Sequence, residues 1–244
     1  MGIVTSAMGV PVPMAIESHC DECVIREASI CEVLDAAQLS RLRSISTVVT
    51  YAPMAPLFEE GSQAHHVSNV IEGTVTLYKL LPDGRRQILG FLFPGDFVGL
   101  ALDPTYGCSA EATTVVRMCR FPRERLEKLF KDLPALEHRL LEVAGNEIKA
   151  AQEQMLLLGR NTARERLASV LLTLSRRAAA RGRPASPVDL PMRRSDIGDY
   201  LGLTIETVSR TFTQFKKAGL IGLPSQSQVT LLQREILETI AEGN

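Results

Sequence analysis

Cys20, Cys23 and Cys31, three of the five cysteines in this chain, lie within twelve residues of one another. A buried thiol is a small apolar group, but a thiol in a polar segment more usually works as a thiolate, in redox chemistry or ligation. The 1–45 segment reads as polar and as lying ahead of any recognisable core element, so the crowding points to metal rather than to packing. Cys-x2-Cys sets two sulfurs on one short turn, and Cys31 follows after seven intervening residues. Three ligands are thereby presented where tetrahedral zinc sites and iron-sulfur clusters usually take four. A fourth must come from elsewhere, and Cys108 and Cys119 remain. The histidines offer little: His19, His65, His66 and His138 are scattered, and none stands at ligand spacing with a carboxylate.

The chain that must position these thiols has 244 residues, enough for one large domain or two modest ones. Composition is that of an ordinary soluble protein: 45% hydrophobic, 23% charged, formal net charge −1 and no tryptophan. Residues 1–16 hold Pro11 and Pro13 but no basic region or continuous apolar run, so a secretory signal is not expected. Met1-Gly2-Ile3-Val4-Thr5-Ser6 matches a myristoylation pattern, a match too short to carry weight. No apolar run reaches transmembrane length. An odd number of cysteines without export features argues for reduced thiols and a cytoplasmic protein. The balanced net charge conceals an asymmetry: residues 160–220 carry 12 Lys/Arg against 5 Asp/Glu. That stretch is suited to meet an anion.

From residue 46 to about 121, short β-prone runs alternate with turn residues. Residues 70–78 read as two strands about a turn and 81–85 as a hairpin connection, with 87–92, 94–99 and 112–121 continuing the pattern. Many short strands at near-regular spacing predict a jelly roll. After Pro122 the pattern turns helical, and Pro134 starts a longer helix. Leu141, Ala144, Ile148, Ala151, Met155 and Leu158 recur at spacings of three and four, which favours a dimer seam. A neighbouring stripe of Leu136, Leu140 and Val143 is placed to pack on the strand body.

Residues 193–210 fit two helices joined by a tight turn. Ile197, Leu201, Leu203 and Val208 supply the apolar contact, Gly198 keeps the first helix thin at the crossing, Gly202 takes the turn, and Thr204 caps the second helix. Glu206, Ser209 and Arg210 then project from one face near that helix's start, the part that enters a major groove. Arg210 can donate a fork to guanine, Glu206 can accept from cytosine N4, and Ser209 can touch a base edge or a thymine methyl. Arg193, Arg194, Lys216 and Lys217 are placed to meet phosphates. Residues 220–232 read as a β-hairpin wing and 233–241 as a terminal helix.

Over nearly its full length the chain resembles the family of cyclic-AMP-receptor-like and fumarate-nitrate-reduction regulators. The resemblance is carried by Pro94-Gly95-Asp96-Phe97-Val98-Gly99, by Ala163-Arg164-Glu165-Arg166-Leu167-Ala168, and by residues 196–210, where Glu206-Thr207-Val208-Ser209-Arg210 matches the Glu-x-x-Ser-Arg reading motif of the second branch. It implies an α+β fold: an N-terminal cluster-binding segment (1–45), a double-stranded β-helix or jelly-roll sensor domain (46–133), a dimerisation helix (134–160) and a winged helix-turn-helix (161–244). With the N-terminal cysteines it further implies an oxygen-labile [4Fe-4S] cluster and a homodimer that binds palindromic TTGAT-type half-sites in double-stranded DNA. Contact with RNA polymerase is also implied, residues 82–86 being a plausible surface.

Cys119 matches the position of that branch's distant fourth cysteine, so the implied ligands are Cys20, Cys23, Cys31 and Cys119. Cys108 falls where cyclic-nucleotide-binding relatives place an arginine against the phosphate. A cysteine cannot pair with an anion there, which argues against a cyclic nucleotide and leaves Cys108 a packed thiol. Two departures stand out. The Cys23 to Cys31 interval is longer than in the enteric regulators, and Ala151 occupies the seam where some relatives carry a carboxylate, leaving Glu147 beside it as the acidic candidate. Rival readings are a zinc-bound or thiol-redox regulator of the same fold and, further off, a metalloenzyme. The second lacks a catalytic constellation, so no enzyme is expected, and no membrane partner.

Overall fold

The computed structural model describes residues 20, 23–100, 103–159 and 162–243. The expectations for residues 1–16, and His19, lie outside the described residues. Two compact units divide the chain, one reaching Lys79 and resuming over Gly90–Ile148, the other formed by Leu80–Leu89 and the chain from Lys149 onward.

The first unit is held by alternating burial along antiparallel strands. β1 (Thr47–Tyr51), β8 (Val116–Pro122), β3 (His66–Glu72) and β6 (Phe97–Val98) form one sheet in that order; β2 (Pro56–Phe58), β7 (Ser109–Ala112), β4 (Val75–Leu80) and β5 (Arg86–Leu92) form the second. Val49, Val70, Val98, Val116 and Met118 of the first sheet share one apolar cluster with Val75, Leu92, Ala110 and Ala112 of the second. This is the expected β-roll. The 112–121 run, expected to continue the strand pattern, holds the end of β7 and most of β8, with residues 113–115 bending between them. Their threonines and valine are as β-prone as the strands they join, so composition alone does not mark the break.

A correction concerns the N-terminal segment. Ile30 is 0% exposed and packs with Leu34, Leu39 and Leu42 into a second cluster, so the cysteine region is part of a core. Helix α1 (Ala36–Ser44) begins at a capping box that the sequence reading passed over. In it, Gln38 N–H donates to Asp35 Oδ1 at 2.8 Å and Asp35 N–H to Gln38 Oε1 at 3.2 Å. α2 (Arg123–Asp132) and the first turns of α3 (Pro134–Leu158) complete this cluster, with Leu136 buried and Leu140 and Val143 packed against it. Further along α3 the predicted seam lies open: Leu141 is 66%, Ile148 61% and Met155 73% exposed.

In the second unit, α4 (Ala163–Ala180) starts at Thr162, whose hydroxyl accepts from Glu165 N–H at 3.2 Å. α5 (Arg194–Leu201) and α6 (Ile205–Lys217) follow, then strands β10 (Ile221–Ser225) and β11 (Gln228–Leu231) and helix α7 (Arg234–Ala241). The wing carries a third strand that was not anticipated, β9 (Val188–Asp189), paired with β11. Two residues are too few to show periodicity. The tip between β4 and β5 groups with this unit: Gln87 Nε2 donates to the Asp199 carbonyl at 2.8 Å, and Gln154 Nε2 to the Ile88 carbonyl at 3.1 Å. Among the described residues, no helix is long and apolar enough to cross a membrane.

Candidate functional site

Pleating of β8 turns Cys119 towards the N-terminal segment. Met118 joins the cluster between the sheets, whereas Cys119 and Phe121 join the cluster shared with α1, α2 and α3. Cys20 and Cys31 pack against that same cluster. The thiols of Cys20, Cys23, Cys31 and Cys119 lie close enough to interact: thiolate charge on Cys20 and Cys23 raises Cys31, and charge on all three raises Cys119. Cys108 is separate. Burial raises its pKa, and the charges that act on it are Lys79 and Glu60.

Burial is the largest influence on the two inner thiols. It pushes Cys31 from 9.0 up to about 11, offset in part by a Ser29 hydrogen bond and by Arg26. It pushes Cys119 up to about 12 against a Ser46 hydrogen bond. A thiolate here needs a positive partner, and a coordinating metal supplies one. Beside Cys119 a buried polar atom is also left over. Asn69 stands opposite Cys119 in the β3–β8 register, is 1% exposed, and its Oδ1 has no hydrogen-bond partner. Soft donors crowded in a desolvated pocket with an orphaned amide fit an iron-sulfur cluster. No three His, Cys, Asp or Glu side chains among the described residues converge as they would around a single metal ion. What the fold provides is shared proximity, not a closed single-ion cage.

The loop carrying Cys31 is tied to the long helix. Arg139 on α3 pairs with Glu32 at 2.7 Å, and its Nε donates to the Ser29 carbonyl at 3.4 Å. These partners flank Cys31 on both sides, a link the sequence reading missed because nothing in the spacing marks Arg139 apart from other surface arginines.

The helix pair of the second unit follows its predicted local logic. Gly198 has no Cβ because one would sit 2.7 Å from the Leu203 carbonyl oxygen, and Gly202 takes φ 64° at the end of α5. Thr204 caps α6, its hydroxyl accepting from Thr207 N–H at 3.2 Å. Ile197, Leu201 and Val208 are buried at the crossing, and Arg166 Nη1 braces it by donating to the Leu201 carbonyl at 2.8 Å. Glu206, Ser209 and Arg210 are exposed together on α6. Its own backbone N–H and the Thr204 hydroxyl lower the Glu206 pKa, keeping it an acceptor.

The four cations differ in placement. Arg193, Lys216 and Lys217 are exposed. Arg194 is half-buried, with its guanidinium carbon 3.3 Å from the centroid of the Phe212 ring, and desolvation lowers its pKa to about 10. Its position therefore braces α5 against α6.

Two family models match the chain: a cyclic nucleotide-binding domain over residues 48–132 and a Crp-like helix-turn-helix domain over 165–240. The nitrogen fixation regulation protein FixK of Bradyrhizobium diazoefficiens is 40% identical over 222 residues, covering 91% of this chain and 93% of the relative. The transcriptional activator protein FnrL of Cereibacter sphaeroides is 39% identical over 215 residues, covering 86% and 87%. The solved structure of FixK2 from Bradyrhizobium japonicum superposes with a TM-score of 0.75 at 39% identity, covering 80% of this chain and 97% of that one. The chain belongs to the CRP/FNR family of transcription regulators. It is a DNA-binding regulator and not an enzyme.

Proposed function

We propose that this regulator is an oxygen-responsive homodimer of the cytoplasm in which Cys20, Cys23, Cys31 and Cys119 hold a [4Fe-4S] cluster. The observation that carries this reading is the packing of Cys20, Cys31 and Cys119 against one apolar cluster, with Cys23 near enough for its charge to act on Cys31 and Cys119 and Cys108 left outside the group. When bound, such a cluster supplies an oxygen-labile bond between the N-terminal thiolates and β8.

The chain's own residues relay the state of that bond. Cys20, Cys31 and Cys119 pack against the cluster that contains Leu136 at the start of α3. Arg139 ties the Cys31 loop to the same helix through Glu32 and Ser29. Ordering the loop therefore orders α3, and α3 presents Leu141, Ile148 and Met155 to a second copy of itself. A ligand that binds the dimer-competent arrangement better shifts the population towards it. The dimer places two α6 helices on TTGAT-type half-sites, where Glu206, Ser209 and Arg210 read bases and Arg193, Lys216 and Lys217 hold phosphates. Arg194 adds to the phosphate field from its place on Phe212. RNA polymerase is the second macromolecular partner, and the regulated genes are those of low-oxygen metabolism. A cyclic nucleotide is not a ligand in this reading, since the half-buried Cys108 thiol carries no positive charge for its phosphate and the nearby Lys79 is already paired with Glu60.

Two single variants test the ligand set. After anaerobic reconstitution with iron and sulfide, Cys119→Ser is expected to lose the visible absorbance of the cluster and Cys108→Ser to keep it. Equal retention in both variants would remove Cys119 from the assignment.

A further inference from the structure

On the opposite face of β8 from Cys119, the β-roll holds a half-open cavity of about 250 Å³. Met118 and Arg120 point into it from β8. Arg120 Nε is buried and has no hydrogen-bond partner. No Asp or Glu lines the cavity. A guanidinium stays charged at any physiological pH, and a buried donor without a partner is costly, so an anion is the missing complement.

The remaining walls define what kind of anion. The Tyr106 ring stacks on Phe58 with centroids 3.8 Å apart, and the Tyr106 hydroxyl donates to the His66 carbonyl at 2.7 Å, fixing a flat apolar wall. Leu57 and Val98 extend that apolar lining. His66 is held below its usual pKa by burial and by Arg120, so its ring contributes hydrogen bonding without a second charge. Ser62, Gln63, His65 and Ser68 make the rest of the lining polar, so polar and apolar walls are about equally represented. One fixed cation beside an aromatic wall, with neutral polar groups opposite, suits a carboxylate on a compact, partly apolar body better than a highly charged, strongly hydrated ion. The volume lies below the roughly 300–1,000 Å³ of sites for drug-sized ligands, which limits the guest to a small molecule.

We propose that this cavity is a binding site for a small organic carboxylate, with the carboxylate on Arg120 and the apolar body against Tyr106 and Phe58. The inference is independent of the cluster, because Arg120 and Cys119 face opposite sides of the strand.

Calorimetric titration of the full-length protein with benzoate, with the neutral isostere benzamide and with inorganic phosphate tests it. Saturable benzoate binding is expected, with benzamide and phosphate at least about ten-fold weaker, the loss appropriate to one charge-assisted contact. Arg120→Met is expected to bring benzoate down to the benzamide level. Arg120→Lys keeps the charge without the planar fork, is expected to bind benzoate several-fold more weakly than the wild type, and serves if Arg120→Met folds poorly. Absence of benzoate binding up to about 10 mM, which would leave only water in the cavity, overturns the proposal. So does equal binding of benzoate and benzamide, tighter binding of phosphate than of benzoate, or wild-type affinity for benzoate in either variant.

Discussion

Replacing Ile148 by alanine isolates the contribution of the α3 seam to dimerisation. Ile148 is 61% exposed, so about three-fifths of its side chain awaits cover from a partner. The substitution removes roughly three carbons worth about 0.8 kcal/mol each when fully buried, or about 1.4 kcal/mol at this exposure. Both copies lose it, for a total of about 3 kcal/mol per dimer and a dissociation constant raised about a hundred-fold. Alanine has a higher helix propensity than isoleucine, so the effect does not come from unravelling α3. Sedimentation equilibrium of the anaerobic protein measures the change, with Asn146→Ala, exposed on the face of α3 away from the seam, as the control. If Ile148→Ala and Asn146→Ala both dimerise like the wild type, the seam is elsewhere and the relay through α3 fails with it.

Four further outcomes follow from named contacts. Arg139→Leu, which removes the tie to Glu32 and Ser29, is expected to leave reconstituted cluster absorbance intact while weakening cluster-dependent DNA binding; unchanged DNA binding in a mobility-shift titration would show that Arg139 carries no signal. Arg210→Ala is expected to cost about 1–3 kcal/mol concentrated at one base position, whereas Lys216→Ala should weaken all sequences alike, and a binding-site selection on both variants distinguishes the two patterns. Thr204→Ala removes the cap of α6 and is expected to lower stability by about 1 kcal/mol in urea unfolding; no change in midpoint would mean that the hydroxyl contributes nothing. In metal-free protein Cys31 and Cys119 bind their protons more tightly folded than unfolded, so the unfolded chain releases them first as pH rises past 9.0. The folded state therefore keeps its full stability below that pH and loses it between about pH 9 and 12, by about 2–3 kcal/mol for Cys31 alone, and a urea midpoint that stays constant across that range would contradict the burial of these thiols.

The helix-turn-helix was legible because its constraints are local. Gly198, Gly202 and Thr204 each answer a backbone requirement set within a few residues, and the structure shows each requirement in place. The exposed stripe on α3 was likewise legible as a period. What sequence could not show is set by long-range packing. The N-terminal segment looked peripheral because its apolar residues are sparse, yet Ile30 and Leu34 are buried by α1, α2 and α3 together. Arg194 read as one more surface cation, and its stacking on Phe212 depends on how two helices cross. The unpartnered Asn69 and Arg120 atoms on opposite faces of the β-roll's first sheet exist only once β3 and β8 are paired and the roll is closed. Cys108 and Cys119 could not be separated by spacing; in the fold Cys119 lies on the face of β8 that meets the N-terminal cluster, whereas Cys108 stands just before β7 beside Lys79 and Glu60.

In the function proposed for this chain, four thiols hold an iron-sulfur cluster that supports DNA binding. Purification of the wild-type protein under strict anaerobiosis, with iron and acid-labile sulfide assayed and DNA binding measured before and after exposure to air, tests it most directly. Iron and sulfide are expected in equal amounts, with visible absorbance that bleaches in air and loss of DNA binding in step with the bleaching. Protein that contains zinc and no iron, or that binds DNA equally well after the iron and sulfide are lost, contradicts it.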